Sequence, residues 1–127
     1  MLNKLISQST KSKGLFITFE GGEGVGKTTQ INLLKSYLLN INYKVVCSRE
    51  PGGTIEGEQV RKLLVSGSSK TWDPMSEALM FNASRRQHIN KIILPSLDKG
   101  NIVLCDRFID STIVYQGYAI SIEQSVL

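Results

Sequence analysis

An open parallel α/β sheet is the fold class this sequence predicts, on three observations. Three short apolar runs, rich in β-branched and aromatic residues, alternate with stretches whose apolar residues recur at helical spacing. The first run stops at a glycine cluster that leads directly into one of those helical stretches. The third run is almost wholly apolar, as a strand covered on both faces must be.

Gly14 to Glu20 is the first such run, a strand followed by a loop. From Lys27 to Leu39, the spacing of Ile31, Leu33, Leu34, Tyr37 and Leu38 predicts a helix. Asn40 to Tyr43 turns the chain, Lys44 to Ser48 reads as a second strand, and Pro51-Gly52-Gly53 breaks it. Val60, Leu63 and Leu64 mark a short helix that ends near Ser66 to Ser69. A longer helical pattern runs from about Met75 to Leu97, with Pro95 expected to tighten or end it. Asn101 to Cys105 is the third strand, and a further helix is expected near Asp110 or Ser111. The order β-α-β-α-α-β-α favours a parallel sheet with crossover helices.

The chain of 127 residues has room for one domain, with an ordinary share of apolar (41%) and charged (20%) residues. Of the net charge of +4, Lys4, Lys11 and Lys13 supply three units in an acid-free leader, residues 1–13, leaving about +1 for residues 14–127. A body that holds nucleic acid by phosphate neutralisation is not indicated. No apolar run reaches membrane-spanning length, and the leader is read as frayed rather than as a signal. Cys47 and Cys105 each end an apolar run, which suits buried, reduced thiols in a cytoplasmic protein.

The glycine cluster carries the most specific chemistry. Gly21, Gly22, Glu23, Gly24, Val25, Gly26, Lys27 and Thr28 satisfy G-x-x-x-x-G-K-[ST] at every fixed position, between an expected strand and an expected helix. Glycines let a backbone wrap phosphate oxygens without Cβ clashes, and the helix start adds its positive end, with Thr29 in the same turn. Lys27 is the candidate cation for the outer phosphates and Thr28 a candidate Mg²⁺ ligand. The motif points to nucleoside triphosphate binding and leaves kinases, GTPases and ATPases all open.

Two further polar clusters follow strands, where ligands of doubly wound sheets gather. One is Arg49-Glu50-Pro51-Gly52-Gly53-Thr54; the other runs from Asp106 to Thr112. Asp106 after a buried strand is a second candidate Mg²⁺ anchor, and Arg107 is a candidate for a transferring or accepting phosphate. Arg49 is an equally good candidate for catalysis and for a surface charge.

Read together, these stretches resemble the thymidylate kinase family. Thr18 to Gln30 is similar to that family's phosphate loop and Arg49 to Thr54 to its second signature. Asp106-Arg107-Phe108 with Ser111 and Tyr115-Gln116-Gly117 is similar to its third, and Leu79 to His88 to the helix lining its thymine pocket. The resemblance implies a P-loop nucleoside monophosphate kinase fold, with ATP and Mg²⁺ as cofactors and thymidine monophosphate as acceptor. It places Phe81 on the base ring, Arg85 at its carbonyl edge, and Arg61 and Arg107 on the monophosphate. Thr112 and Gln116 fall at base-contacting positions, Tyr115 near the sugar, and Glu23 at an acidic position of the loop. Phe81 and Arg85, four apart, share a helix face, as one flat base would require.

Arg86 reads as a solvated charge and Trp72 as packing at a helix start. His88 lies near the face of Arg85 with no nucleophile or metal partner visible in the sequence. By the resemblance, the family continues beyond Leu127 with an arginine-bearing lid, later strands and an adenine cradle. The expectation is therefore an incomplete kinase domain over 14–127, a homodimer when full length, and a first strand left at the sheet edge. Another nucleotide kinase and a non-catalytic nucleotide-binding fragment remain the alternatives.

Overall fold

A computed structural model of the protein describes residues 13–65 and 71–113. The expected leader through residue 12, the end of the short helix at Ser66–Ser69, and both Tyr115 and Gln116 lie outside the described residues. Three parallel strands, β1 (Leu15–Phe19), β2 (Val45–Arg49) and β3 (Ile102–Asp106), form one sheet in the order β1-β3-β2. β1 is thus an edge strand among the described residues, as expected.

β3 is central because its residues tolerate burial on both faces. Ile102, Val103, Leu104 and Cys105 are all buried, with exposures of 6% or less. The registers are in step across the sheet: Phe19 and Arg49 both lie level with Asp106. Successive side chains of a strand face opposite ways, so Ile102 and Leu104 share one face and Val103 and Cys105 the other. On the first face α1 (Lys27–Asn40) packs Ile31 and Leu38 against Ile102 and Leu104, joined by Ile17, Phe19, Leu34 and Val45. Removing such apolar surface from water contributes roughly 25 cal/mol per Å².

The remaining helices are α2 (Ile55–Val65), α3 (Pro74–His88), α4 (Leu94–Asp98) and α5 (Ile109–Thr112). α3 starts where Asp73 caps it: Oδ1 accepts from the Ser76 amide at 3.0 Å and Oδ2 from the Ser76 hydroxyl at 2.6 Å. Those bonds hold the Asp73 carboxyl below its ordinary range and satisfy amides that a helix start leaves unpaired. Pro74 occupies the first turn, where its missing N–H costs nothing.

Pro95 neither stops nor kinks the long helical stretch outright. A π-helical turn, Ile89–Ile93, joins α3 to α4, with the Leu94 amide donating to the Ile89 carbonyl five residues back. The altered register lets Pro95 fall in the first turn of α4, where no donor is required of it.

One expectation fails. Cys105 is buried, but Cys47 is exposed; both thiols are free. The strand order explains the difference. Cys105 sits on the central strand, where burial pushes its thiol well above the ordinary range, whereas Cys47 is on the edge strand β2, which an apolar run alone does not reveal. No helix among the described residues is long and apolar enough to cross a membrane.

Candidate active site

Three strand ends meet at Asp106. The Arg107 amide donates to the Phe19 carbonyl at 2.9 Å and the Glu50 amide to the Asp106 carbonyl at 3.0 Å. The glycine loop after β1, the Glu50-Pro51 turn after β2 and the Arg107 turn after β3 therefore leave the sheet side by side. The Glu50-Pro51 peptide is cis, and Arg107 adopts a left-handed φ of 69°, a conformation unusual for a residue with a side chain.

In the loop, Gly21 to Gly26 are all exposed. Gly26 forms the start of α1 at φ 93°, a backbone a Cβ would strain. No side chain caps this helix and its first turn holds no acid, so the amides of Lys27, Thr28 and Thr29 face outward as donors. The Lys27 ammonium arches across the loop, donating to the Gly21 carbonyl at 3.1 Å and the Gly22 carbonyl at 2.6 Å. Thr28 and Thr29 are exposed beside it.

Next to the loop lies a cleft of about 430 Å³, a size suited to a small ligand. Arg61, Phe81, Arg85, Arg107 and Thr112 line it together with Glu23 of the loop, so residues expected on separate sequence grounds converge. Arg61 also donates to the Pro51 carbonyl at 3.2 Å.

Arg85 is held from all sides and only 5% exposed. Its Nε donates to Glu50 Oε2 at 2.7 Å and its Nη1 to Asn82 Oδ1 at 3.3 Å. Nη2 donates to the Thr112 hydroxyl at 2.6 Å and the Phe108 carbonyl at 3.3 Å, and the guanidinium lies 5.0 Å over the Phe108 ring. Thr112 thus braces Arg85 from the cleft wall.

Arg49 is not brought into the cleft. Its guanidinium pairs with Glu58 at 2.9 Å, both side chains well exposed, and this bond holds the Glu58 carboxyl below its ordinary range. On a strand, neighbours point opposite ways. The residue after Arg49 is the one that turns inward.

That residue, Glu50, was given no role from the sequence, nor was His88. Glu50 is 5% exposed and His88 fully buried, and the His88 Nδ1 lies 3.0 Å from Glu50 Oε1. The spacing of Arg85 and His88, three apart on a helix, was the available signal that both face one partner. Glu20 was missed too: it accepts from the Phe108 amide at 2.8 Å and from the Ser111 hydroxyl, tying β1 to α5.

Asp106 supplies the test for a metal. Its Oδ1 is buried and bonds no atom among the described residues, a state expected of an oxygen whose partner is not protein. Among the described residues no three His, Cys, Asp or Glu cluster as a metal cage. A single carboxylate oxygen of this kind suits Mg²⁺ in chemistry, since that ion keeps waters and substrate phosphates as its other ligands.

A family model described as thymidylate kinase matches residues 19–127. The chain belongs to the thymidylate kinase family. It is 57% identical over 114 residues to the thymidylate kinase of Bartonella quintana (strain Toulouse), covering 90% of this chain and 53% of that protein. Against the thymidylate kinase of Shouchella clausii (strain KSM-K16) the identity is 53% over 107 residues, or 84% and 50% of the two chains. The crystal structure of thymidylate kinase from Ehrlichia chaffeensis superposes with a TM-score of 0.83 at 53% identity, over 90% of this chain and 61% of that one. The chain spans about half the length of the curated thymidylate kinases it matches, and its sheet and phosphate loop are those of a P-loop nucleotide kinase.

Proposed function

We propose that the protein transfers the γ-phosphate of ATP to thymidine monophosphate, giving thymidine diphosphate. The observation that carries this reading is the shared cleft: Glu23 of the phosphate loop lines the same cavity as Phe81, Arg85, Arg61 and Arg107. An acceptor bound there has its phosphate at the donor loop.

Phe81 offers a flat apolar face to the base. Four of the five guanidinium N–H groups of Arg85 are spent on protein, leaving one Nη1 N–H for a ring carbonyl. Arg61 and Arg107 hold the monophosphate, one of whose oxygens attacks the γ-phosphorus while the bond to the β-phosphate oxygen breaks and ADP leaves. That oxygen is already anionic near neutral pH, so no general base is needed; positioning and charge carry the rate. Lys27 and the amides of Lys27 to Thr29 hold the donor phosphates. Thr28 and Asp106 would hold Mg²⁺, which neutralises phosphate charge when bound.

Exposed Met75 and Leu79, one turn apart on α3, support the homodimer that the family resemblance implies. Free thiols are in keeping with a cytoplasmic setting.

Calorimetric titration with the deoxy monophosphates of thymine and cytosine tests the assignment. Tighter binding of the thymine nucleotide is expected, and Phe81→Ala should weaken it by roughly tenfold or more, since a stacked aromatic contributes about 0.5–1.5 kcal/mol beyond its buried area. Equal binding of both nucleotides would sink the reading. Phe81 is a cleaner probe than Arg85, whose removal takes from the buried Glu50 the partner of its Oε2 and leaves it His88 alone.

A further inference from the structure

One buried group plays no part in the transfer described above. His88 is 0% exposed, does not line the cleft, and is bonded at both ring nitrogens: Nδ1 to Glu50 Oε1 at 3.0 Å and Nε2 to the Ser48 hydroxyl at 2.6 Å. Glu50 in turn gives its other oxygen, Oε2, to Arg85 Nε at 2.7 Å. A continuous hydrogen-bonded chain therefore runs Ser48, His88, Glu50, Arg85, Thr112, from β2 through α3 to α5.

A Ser-His-Glu trio of this geometry has the residue types of a nucleophilic relay, but its surroundings exclude that use. Neither Ser48 nor His88 reaches the cleft. The Gly53 backbone lies over both: a Cβ there would sit 2.5 Å from the Ser48 hydroxyl and 2.7 Å from His88 Cδ2, and Gly53 has φ 79°. The glycine is what lets the turn close down on the imidazole. His88 and Glu50 are buried and Ser48 half-buried, and among the described residues the trio meets the cleft through Glu50 and Arg85.

We infer that His88 is a positioning residue that sets base discrimination, by clamping Glu50 Oε1 so that Oε2 fixes the guanidinium of Arg85 against the acceptor. A carboxylate held by one partner can swing about its last torsion, which is broad; held by two on opposite oxygens, it cannot. With Nε, Nη2 and one Nη1 hydrogen all committed, Arg85 presents its remaining donor in one direction. A donor fixed this way donates to a ring carbonyl at hydrogen-bond distance and leaves an amino group unpaired, the condition under which polar sites discriminate most strongly. This rests on the proposed acceptor; the positioning itself does not.

The test uses the 127-residue chain and two isosteric variants that separate the imidazole's nitrogens. His88→Asn places an amide donor where Nδ1 was and keeps the bond to Glu50. His88→Gln places it where Nε2 was and loses that bond. The first readout needs no ligand: hydrogen exchange of the Arg85 Nε–H by nitrogen-edited NMR. Exchange within about twofold of wild type is expected for His88→Asn and faster by about tenfold or more for His88→Gln, as local opening becomes easier. The second is the ratio of dissociation constants for the cytosine and thymine deoxy monophosphates, which should hold in His88→Asn and fall by about tenfold in His88→Gln. A merely structural histidine would lower the melting temperature in both variants and weaken both nucleotides alike. Unchanged Arg85 exchange in His88→Gln overturns the proposal while leaving the acceptor assignment standing. Altered exchange with no preference for the thymine nucleotide in wild type overturns the acceptor assignment, and base discrimination with it. Ser48→Ala is a second route should His88→Gln not fold. It frees the far end of the imidazole and should speed Arg85 exchange about threefold, the size of one modest hydrogen bond; no change there also overturns the proposal.

Discussion

From Gly21 to Gly26 every residue of the phosphate loop is exposed, while Glu50, Arg85 and His88, at the end of the same sheet, are exposed by 5% or less. The loop is built of backbone: glycine conformations, helix-start amides and a lysine arched over the concavity. The cleft is lined by side chains, among which Arg85 is held by Glu50, Asn82 and Thr112. On the proposed function the difference follows from what each would read. Phosphate oxygens are alike and can be cradled by any set of N–H groups, whereas a base edge is told apart only by donors that cannot turn away. A change in the loop should therefore alter rate with little effect on stability, and a change in the cluster should alter both.

The largest expected effect probes the loop side. On the proposed function, Lys27→Ala should lower transfer by about 10³-fold or more, because it would remove the charge assigned to the outer phosphates. Among the described residues its ammonium bonds two loop carbonyls, so the melting temperature should move by no more than a few degrees. A coupled assay and a thermal melt measure the two together, and comparable turnover in the variant would remove Lys27 from its role.

Next comes the cluster. Glu50→Ala strands the buried guanidinium of Arg85 and should cost about 3–5 kcal/mol of stability, read by urea unfolding. A loss below about 1 kcal/mol would mean that the cluster is not the rigid element described above.

The smallest effect belongs to the neighbouring side chain. Arg49→Ala removes an exposed pair and should cost less than about 1 kcal/mol. The Arg49 bond depresses the Glu58 carboxyl. A depressed acid stabilises the fold above its unfolded pKa and loses that contribution as pH falls through the folded one. The difference between wild type and Arg49→Ala should thus be present near pH 7 and vanish in the acid range below the usual carboxylate pKa. A difference that grew on acidification would place Arg49 in some other contact.

That adjacent residues on one strand end should differ so much shows where sequence reading succeeds and where it stops. The phosphate loop was legible because its chemistry is local: eight consecutive residues carry it. The strands were legible because β-branched apolar runs need burial. The edge place of β1 and the two-sided burial of β3 were legible as well, but the edge place of β2 was not, and so Cys47 was expected inside, since an apolar run looks the same on an edge as at the centre. The π-helical turn before Pro95 was not, because the apolar spacing does not mark an amide that bonds the carbonyl five residues back. Glu50 and His88 stood in plain view, one inside a signature and the other a lone histidine, but they meet across 38 residues of chain. Arg49 drew the attention because arginines bind phosphates, yet the alternation of a strand turns it outward and its neighbour in.

The strand order β1-β3-β2 also bears on how the molecule comes to exist. β1 and β2 are separated by β3 and never pair, so the first two strands made have nothing to bond to until the third is synthesised. Among the described residues both ladders wait for residues 102–106, and each closes a loop of more than fifty residues. Such long-range closure is slow compared with helix formation. The helices can flicker into being early, while the sheet, the donor loop's footing and the acceptor cleft must all arrive in one cooperative event. Asp106, the last residue of that late strand, is thus the point at which the three described strand ends are brought together.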